Sequence, residues 1–85
     1  MADSDGRRKR AFYRAHHRGT KEMDLILGSF ADAELAHFSE AEIAAFEVLL
    51  GLPDPDIDRM LKSADHTSDL APLIRRIRRH CRLEG

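Results

Sequence analysis

Apolar residues recur along this chain at intervals of three and four, as they do on one face of a helix. Between Met23 and Phe30, for example, they occupy positions i, i+3, i+4 and i+7. No stretch alternates between apolar and polar residues in the way typical of a half-buried strand. The pattern predicts an all-α fold, a compact bundle of five short helices.

The first two predicted helices are separated by a basic joint that contains a glycine. The first helix spans about residues 7–16, and the second begins near Thr20. The first carries three apolar residues at helical spacing: Ala11, Phe12 and Ala15. We predict that residues 1–6 form a disordered N-terminal tail and that residues 7–85 form a single helical domain.

The third predicted helix has the clearest start and end. Ser39 and Glu42 are spaced as a capping box, in which each side chain accepts a hydrogen bond from the other residue's backbone N–H. Phe38 and Ile43 flank this box at the positions of a hydrophobic staple. Gly51 is predicted to end the helix in the left-handed conformation.

The last two predicted helices are separated by a polar break at residues 64–69. The fourth is predicted to have Asp54 as its N-cap and Pro55 as its first helical residue, where the missing N–H costs nothing. Pro72 is expected in the first turn of the fifth helix or just before it. The residues predicted to be buried across the bundle are Met23, Ile26, Leu27, Phe30, Ile43, Phe46, Leu50, Ile57, Leu61, Leu73, Ile74 and Ile77.

Charge is unevenly spread along the 85 residues, although the formal net charge is only −1. Residues 7–18 hold six basic residues and no acid, whereas residues 21–69 hold twelve acids against three bases. Five arginines follow in residues 75–82. Two explanations are open: the basic ends pack against the acidic middle, or they form a surface for a charged partner.

The expected location follows from what the sequence lacks. No stretch is apolar over the roughly 20 residues that a helix needs to cross a bilayer. The single cysteine, Cys81, allows no intrachain disulfide, which fits a reducing compartment. We expect a soluble intracellular protein with no membrane insertion.

Candidate catalytic and metal-binding residues lack the spacing that such sites require. His16 and His17 are adjacent rather than spaced as zinc ligands, and Cys81 continues the apolar face of the fifth helix. The serines have no nucleophile motif, and the carboxylate pair of Asp54 and Asp56 suits the start of a helix. We therefore predict that the protein is not an enzyme and binds no metal.

Two basic segments, RRKRAFYR and RRIRRHCR, raise the question of nucleic-acid binding. The acidic middle of the chain would repel a phosphate backbone, and no helix-turn-helix signature is present. We expect no nucleic-acid partner, and we keep a small basic-ended helical nucleic-acid-binding domain as the alternative function.

The joint between the first two helices resembles a known family motif. Arg18-Gly19-Thr20-Lys21-Glu22 is similar to the R-G-x-x-E motif of the succinate dehydrogenase assembly factor family, the small flavinylation factors. The segments HRGTKEMDLILGSFAD and FSEAEIAAFEVLLGLPDPDIDRML also resemble that family, in the same order and spacing. The chain departs from the family at Asp58 and Met60, where Tyr and Trp are common, and at His17, where an arginine is common.

The resemblance implies a binding role rather than catalysis. Factors of this family bind the flavoprotein subunit of succinate dehydrogenase, and in some bacteria that of fumarate reductase, and promote covalent attachment of FAD to it. The protein is then expected to hold no cofactor itself and to act on FAD bound to the partner, as a monomer in the bacterial cytoplasm. The residues expected to bind the partner are His17, Arg18, Gly19, Thr20, Glu22 and Asp24.

The chemistry of the motif residues suits an interface. Gly19 lacks a Cβ, so it allows a close backbone approach or a turn with positive φ. Arg18 carries a planar fork of five donors, and Glu22 lies where the helix dipole favours an anion. The purely structural alternative is that Gly19 is only a turn and that Arg18 and Glu22 form a surface ion pair worth ~0–1 kcal/mol. Given the flanking resemblance, we expect these residues to be exposed at a partner interface.

Overall fold

The computed structural model describes residues 4–62 and 69–81. These residues form five α-helices and one turn of 3₁₀ helix, Leu35–His37, without a strand among them. The helices are α1 (Ser4–His16), α2 (Lys21–Glu34), α3 (Glu40–Leu50), α4 (Asp54–Lys62) and α5 (Ala71–Cys81). The predicted all-α bundle of five short helices is confirmed. Residues 4–6 of the predicted tail belong to α1, and residues 64–68 of the predicted polar break lie outside the described residues.

Side-chain caps begin α2 and α3. The Oγ1 of Thr20 accepts a hydrogen bond from the backbone N–H of Met23 at 3.3 Å. The Oγ of Ser39 accepts from the N–H of Glu42 at 3.2 Å, and the Glu42 carboxylate accepts from the N–H of Ser39 at 2.7 Å. The predicted capping box is therefore confirmed, and both helix starts gain partners for N–H groups that a helix leaves unpaired.

Two predicted helix boundaries, the end of α3 and the start of α4, need correction. Gly51 ends α3, but at φ −78° and ψ −9°, so the predicted left-handed conformation is wrong. Its N–H continues the last turn of the helix by donating to carbonyls of that turn. The Pro53 carbonyl accepts from the N–H of Ile57 at 3.2 Å, so α4 begins one residue earlier than predicted. Asp54 is the first helical residue rather than the N-cap, and its carboxylate has other partners.

The core gathers one apolar face from each helix. Eleven of the twelve residues predicted to be buried are buried, whereas Ile26 is partly exposed at the edge of the core. The rings of Phe30, Phe38 and Phe46 meet edge to face, with centroids 5.8 to 5.9 Å apart. Such aromatic contacts add to the stabilisation that burial alone supplies, so α2, α3 and the turn before α3 are held at the centre of the bundle.

Helix α1 packs on the core through small residues. Ala11 and Ala15 are buried, whereas Phe12, which shares their helical spacing in the sequence, is 42% exposed. An added Cβ at Gly28 of α2 would lie 2.8 Å from Nδ1 of His16, so the glycine lets that ring rest directly on α2. The small residues on both helices therefore permit a close contact between α1 and α2.

Several of the unevenly distributed charges pair with one another. Arg7 of α1 donates to both carboxylate oxygens of Glu47 in α3, at 2.6 and 3.2 Å. Arg76 of α5 contacts Glu34 at 2.6 Å and Glu42 at 2.5 Å. For these arginines, the explanation that the basic ends pack against the acidic middle is confirmed.

The Arg7–Glu47 pair predicts a loss of stability in acid. The hydrogen bond from Arg7 is the main reason that the pKa of Glu47 is lowered from its ordinary value of 4.5. A carboxylate with a lowered pKa in the folded state stabilises the fold above its unfolded pKa, and this stabilisation is lost as the pH falls through the folded value. We expect Glu47→Gln to be less stable than wild type near pH 7, and we expect this difference to shrink as the pH falls to about 3. Urea unfolding of both proteins at the two pH values would measure this, and an unchanged difference would contradict it.

Candidate functional site

Two turns that are distant in the sequence meet at one corner of the bundle. The turn between α1 and α2 lies against the turn between α3 and α4, and the side chain of Arg18 connects them. The segment that resembles R-G-x-x-E therefore adjoins the segment that contains D-P-D. We call these residues the motif corner: His17, Arg18, Gly19, Thr20, Glu22, Asp24 and Asp54.

The Arg18 guanidinium makes its contacts inside the protein. Its Nε donates to Oδ1 of Asp54 at 2.9 Å, and its Nη2 lies 2.8 Å from the same oxygen. Its Nη1 donates to the carbonyl of Leu50 at 2.5 Å, and Nη2 donates to the carbonyl of Leu52 at 2.7 Å. Leu50 is the last residue of α3, where helix carbonyls lack partners within the helix. Arg18 therefore closes the end of α3 and fixes the beginning of α4.

The inward position of Arg18 corrects the expectation drawn from the sequence. Its side chain is 11% exposed and that of Asp54 is 15% exposed, so the prediction that Arg18 is exposed is wrong. The alternative pair with Glu22 is wrong as well, because Arg18 pairs with Asp54. From the sequence, Asp54 is predicted only to begin a helix. No short-range pattern indicates a contact between residues 36 positions apart.

Thr20 and Asp24 fix the turn between α1 and α2 from its α2 side. Asp24 Oδ1 accepts a short hydrogen bond from the backbone N–H of Arg18, and the Asp24 N–H donates to the Thr20 carbonyl at 3.0 Å. Besides capping α2, the Thr20 hydroxyl donates to Oδ2 of Asp54 at 3.4 Å. The turn that carries Gly19 is thus fixed by side chains on both sides.

Gly19 is exposed at the tip of this turn. Its φ lies outside the left-handed region, so the positive φ considered from the sequence is not adopted. An added Cβ would have only the Oδ2 of Asp54 nearby, at 3.6 Å, which is an ordinary contact distance. Nothing in the described fold therefore requires a glycine at this position.

Glu22 is exposed on the first turn of α2, as expected. Among the described residues, its carboxylate has no hydrogen-bond or ion-pair partner. It borders an open depression between α2 and α4, which is lined also by Ile26, Leu61, Asp58 and Lys62. Lys62 pairs with Asp58 at 3.1 Å, and the apolar side chains line the same depression. Glu22 therefore offers an anion beside a small apolar recess.

His17 completes the corner on the α1 side. Its exposed ring stacks on that of Tyr13, with centroids 3.9 Å apart and planes 15° from parallel. Its Nδ1 lies 2.8 Å from the Tyr13 carbonyl oxygen. Of the six residues predicted to bind a partner, His17, Gly19, Thr20 and Glu22 are exposed. Arg18 and Asp24 instead support the turn that presents them.

The described part of the chain has neither a cluster of metal-ligating side chains nor a membrane-spanning helix. No group of three or more histidine, cysteine or carboxylate side chains there is arranged to hold a metal ion. No helix there is both long and apolar enough to span a bilayer. Cys81 is partly buried beside the core, and burial raises the pKa of its thiol.

A family model described as "Flavinator of succinate dehydrogenase" matches residues 9–81, which include the whole motif corner. The chain belongs to this family. The match extends over most of the chain, from α1 to the end of α5. Membership in the family confirms the resemblance found in the sequence.

Individual relatives carry related names. The "Succinate dehydrogenase assembly factor 2, mitochondrial" of Dictyostelium discoideum is 34% identical over 77 residues, which are 88% of this chain and 55% of the relative. The "FAD assembly factor SdhE" of Acetobacter pasteurianus is 39% identical over 51 residues, 60% of this chain and 47% of the relative. The chain spans about half the length of these curated relatives. No solved structure matches it significantly.

Proposed function

We propose that this chain binds the flavoprotein subunit of succinate dehydrogenase and promotes covalent attachment of FAD to it. Family membership supports the proposal, as do relatives named for assembly of succinate dehydrogenase and of FAD. The proposed action is binding rather than catalysis, and FAD stays on the flavoprotein throughout. The cytoplasmic location and the monomeric state expected from the sequence stay predictions.

The observation that carries the proposal is the division of roles within the motif corner. Arg18 is used inside the protein, where it joins two turns. Gly19 and Glu22 are exposed, and the described fold requires neither the missing Cβ of Gly19 nor the carboxylate of Glu22. Because Gly19 has no Cβ, the backbone of a partner can approach the turn closely. The Glu22 carboxylate can then accept a hydrogen bond from a cation or an N–H group of that partner.

Ion pairs within the bundle reduce the number of arginines that could bind a phosphate backbone, as the nucleic-acid alternative requires. Arg7, Arg18 and Arg76 are engaged with carboxylates of the same chain, so their charges are already balanced. A phosphate-binding surface needs several cations that point outward together. Family membership does not support this alternative either.

Parallel binding measurements test the proposal against the alternative. We would titrate the protein into apo-flavoprotein subunit and, separately, into duplex DNA near physiological salt. We expect saturable binding to the subunit and, at most, weak binding to DNA that declines steeply with salt. Submicromolar DNA affinity without binding to the subunit would replace the proposal by the alternative.

Gly19→Ala should separate folding from binding. The Cβ has room inside the protein, so the free energy of unfolding should stay within about 0.5 kcal/mol of wild type. The same Cβ should obstruct close approach of the partner's backbone and weaken binding to the apo-flavoprotein by roughly tenfold or more. Urea unfolding and the titration above measure the two effects. Unchanged binding would show that the partner does not approach Gly19.

A further inference from the structure

A second exposed surface runs along the outer side of α1. Its groove, which we call the α1 groove, is lined by Asp5, Arg8, Lys9, Phe12, Tyr13, His16 and His17. Phe12 is 42% exposed and Tyr13 is 63% exposed. They are two of the four large hydrophobic side chains that are exposed among the described residues, and they are consecutive in the sequence. Adjacent exposed aromatic residues are typical of an interaction surface rather than of ordinary solvent-facing helix.

The rings of the α1 groove are held in pairs. Phe12 contacts His16 with ring centroids 4.5 Å apart, and Tyr13 stacks on His17 at 3.9 Å. His16 is held in turn by the Asp32 carboxylate, 3.0 Å from its Nε2. Side chains ordered before binding lose less conformational entropy when a partner arrives, so these aromatic pairs suit a binding surface.

The charge of the α1 groove is predominantly basic. Its one acid, Asp5, lies 3.6 Å from Arg8, whose guanidinium also donates to the carbonyls of Leu35 and Phe38. The Lys9 ammonium has no ion pair among the described residues. An approaching segment would therefore meet aromatic rings beside a cation, which favours a partner that combines an apolar side chain with carboxylates.

The α1 groove is continuous with the motif corner because His17 belongs to both. Its ring lines the groove, and its backbone leads directly into Arg18 and Gly19. A partner seated on Gly19 and Glu22 would have the groove immediately beside it. A contact limited to the corner would be small, whereas stable protein interfaces bury on the order of 800 Å² on each partner.

We propose that the flavoprotein subunit extends from the motif corner onto the α1 groove. In this arrangement, an acidic segment of the subunit places an apolar side chain against Phe12 and Tyr13 and a carboxylate beside Lys9. The inference rests on the proposed function, because it assigns the same partner to both surfaces. It adds a second contact area to the interface and a stated chemistry for the part of the subunit that fills it.

The test compares a groove variant with a matched control. The double variant Phe12→Ser/Tyr13→Ser removes the apolar contact, and Lys9→Glu reverses the charge. Val48→Ser alters an exposed apolar residue of α3 that does not line the groove. We expect each groove variant to weaken binding to apo-flavoprotein roughly tenfold or more, while Val48→Ser binds as wild type does. Circular dichroism and thermal unfolding would verify that the variants fold.

The outcomes separate this inference from the proposed function. If wild type binds the subunit and both folded groove variants bind equally well, the groove proposal is wrong and the proposed function stands. If wild type does not bind the subunit, the proposed function is wrong, and the groove proposal that rests on it is wrong as well. If wild type self-associates in sedimentation and the double variant does not, the groove is a contact between copies of this chain, which also overturns the proposal. A loss of binding only in the groove variants supports it.

Discussion

Arg18→Ala should destabilise the protein strongly, because Arg18 is not in the exposed position predicted from the sequence. The substitution removes the guanidinium donors that reach the carbonyls of Leu50 and Leu52, and it leaves the largely buried carboxylate of Asp54 without its cation. Removing one member of such a network lowers the free energy of unfolding by more than the intact pair contributes to it, because the groups left behind lose their partners. We expect a loss of roughly 2–4 kcal/mol and a fall in Tm on the order of 10 °C or more.

Thermal and urea unfolding would measure this loss. Two further variants test whether the contacts of the Arg18 guanidinium cause it. Arg59→Ala removes an arginine whose side chain is 74% exposed and whose pair with Asp56 lies within one helix, so it should cost at most about 1 kcal/mol. Arg18→Lys retains the charge but lacks the fork, so it should lose part of the stability. If Arg18→Ala and Arg59→Ala unfold alike, the contacts of Arg18 do not stabilise the fold.

The role of Arg18 changes how a loss of function in its variants must be interpreted. A variant that no longer supports flavin attachment could fail because the corner has collapsed rather than because a partner contact is missing. The exposed motif residues do not have this ambiguity. Glu22 in particular presents a carboxylate that the described fold does not use.

Glu22→Ala should remove most of the proposed stimulation of covalent flavin attachment, while the fold persists. The carboxylate is exposed in the first turn of α2, so its removal should lower the free energy of unfolding by less than about 1 kcal/mol. At a partner interface, the loss of a charge-assisted hydrogen bond would leave a donor of the subunit unpaired. We expect the initial rate of covalent flavin attachment to fall roughly tenfold or more, measured by in-gel flavin fluorescence of the subunit.

Lys21→Ala is the matched control for Glu22→Ala. Lys21 is an exposed charged neighbour on the same turn of α2, and it occupies a variable position of the R-G-x-x-E pattern. Its removal should leave the rate near the wild-type value. Equal effects of the two substitutions would indicate a general influence of charge instead of a specific contact by Glu22.

The sequence predicted those features that depend on neighbouring residues. The capping box of Ser39 and Glu42 is confirmed because its two side chains lie within one helical turn. The buried faces of α2 to α5 are confirmed because the spacing of apolar residues directly sets them, with Ile26 as the partial exception at the edge. Gly51 shows the limit of such local rules, since it ends α3 without the left-handed conformation that a terminal glycine favours.

The features that depend on packing between distant segments were not predictable in this way. The uneven charge was evident in the sequence, but not which acid would pair with which arginine. Arg18 could have paired with Glu22 four residues away, yet the fold brings Asp54 to it. The exposed position of Phe12 similarly depends on how closely α1 packs through its alanines. Family resemblance located the motif corner, and only the three-dimensional contacts distinguish its supporting residues from its exposed ones.

The most direct measurement of the central claim is the rate of covalent flavin formation on purified apo-flavoprotein subunit supplied with FAD. The rate would be followed by in-gel fluorescence, with and without the wild-type protein and with Glu22→Ala. We expect the wild-type protein to increase the initial rate, Glu22→Ala to increase it little, and covalent flavin to form only on the subunit. An equal rate with and without the wild-type protein would contradict the account.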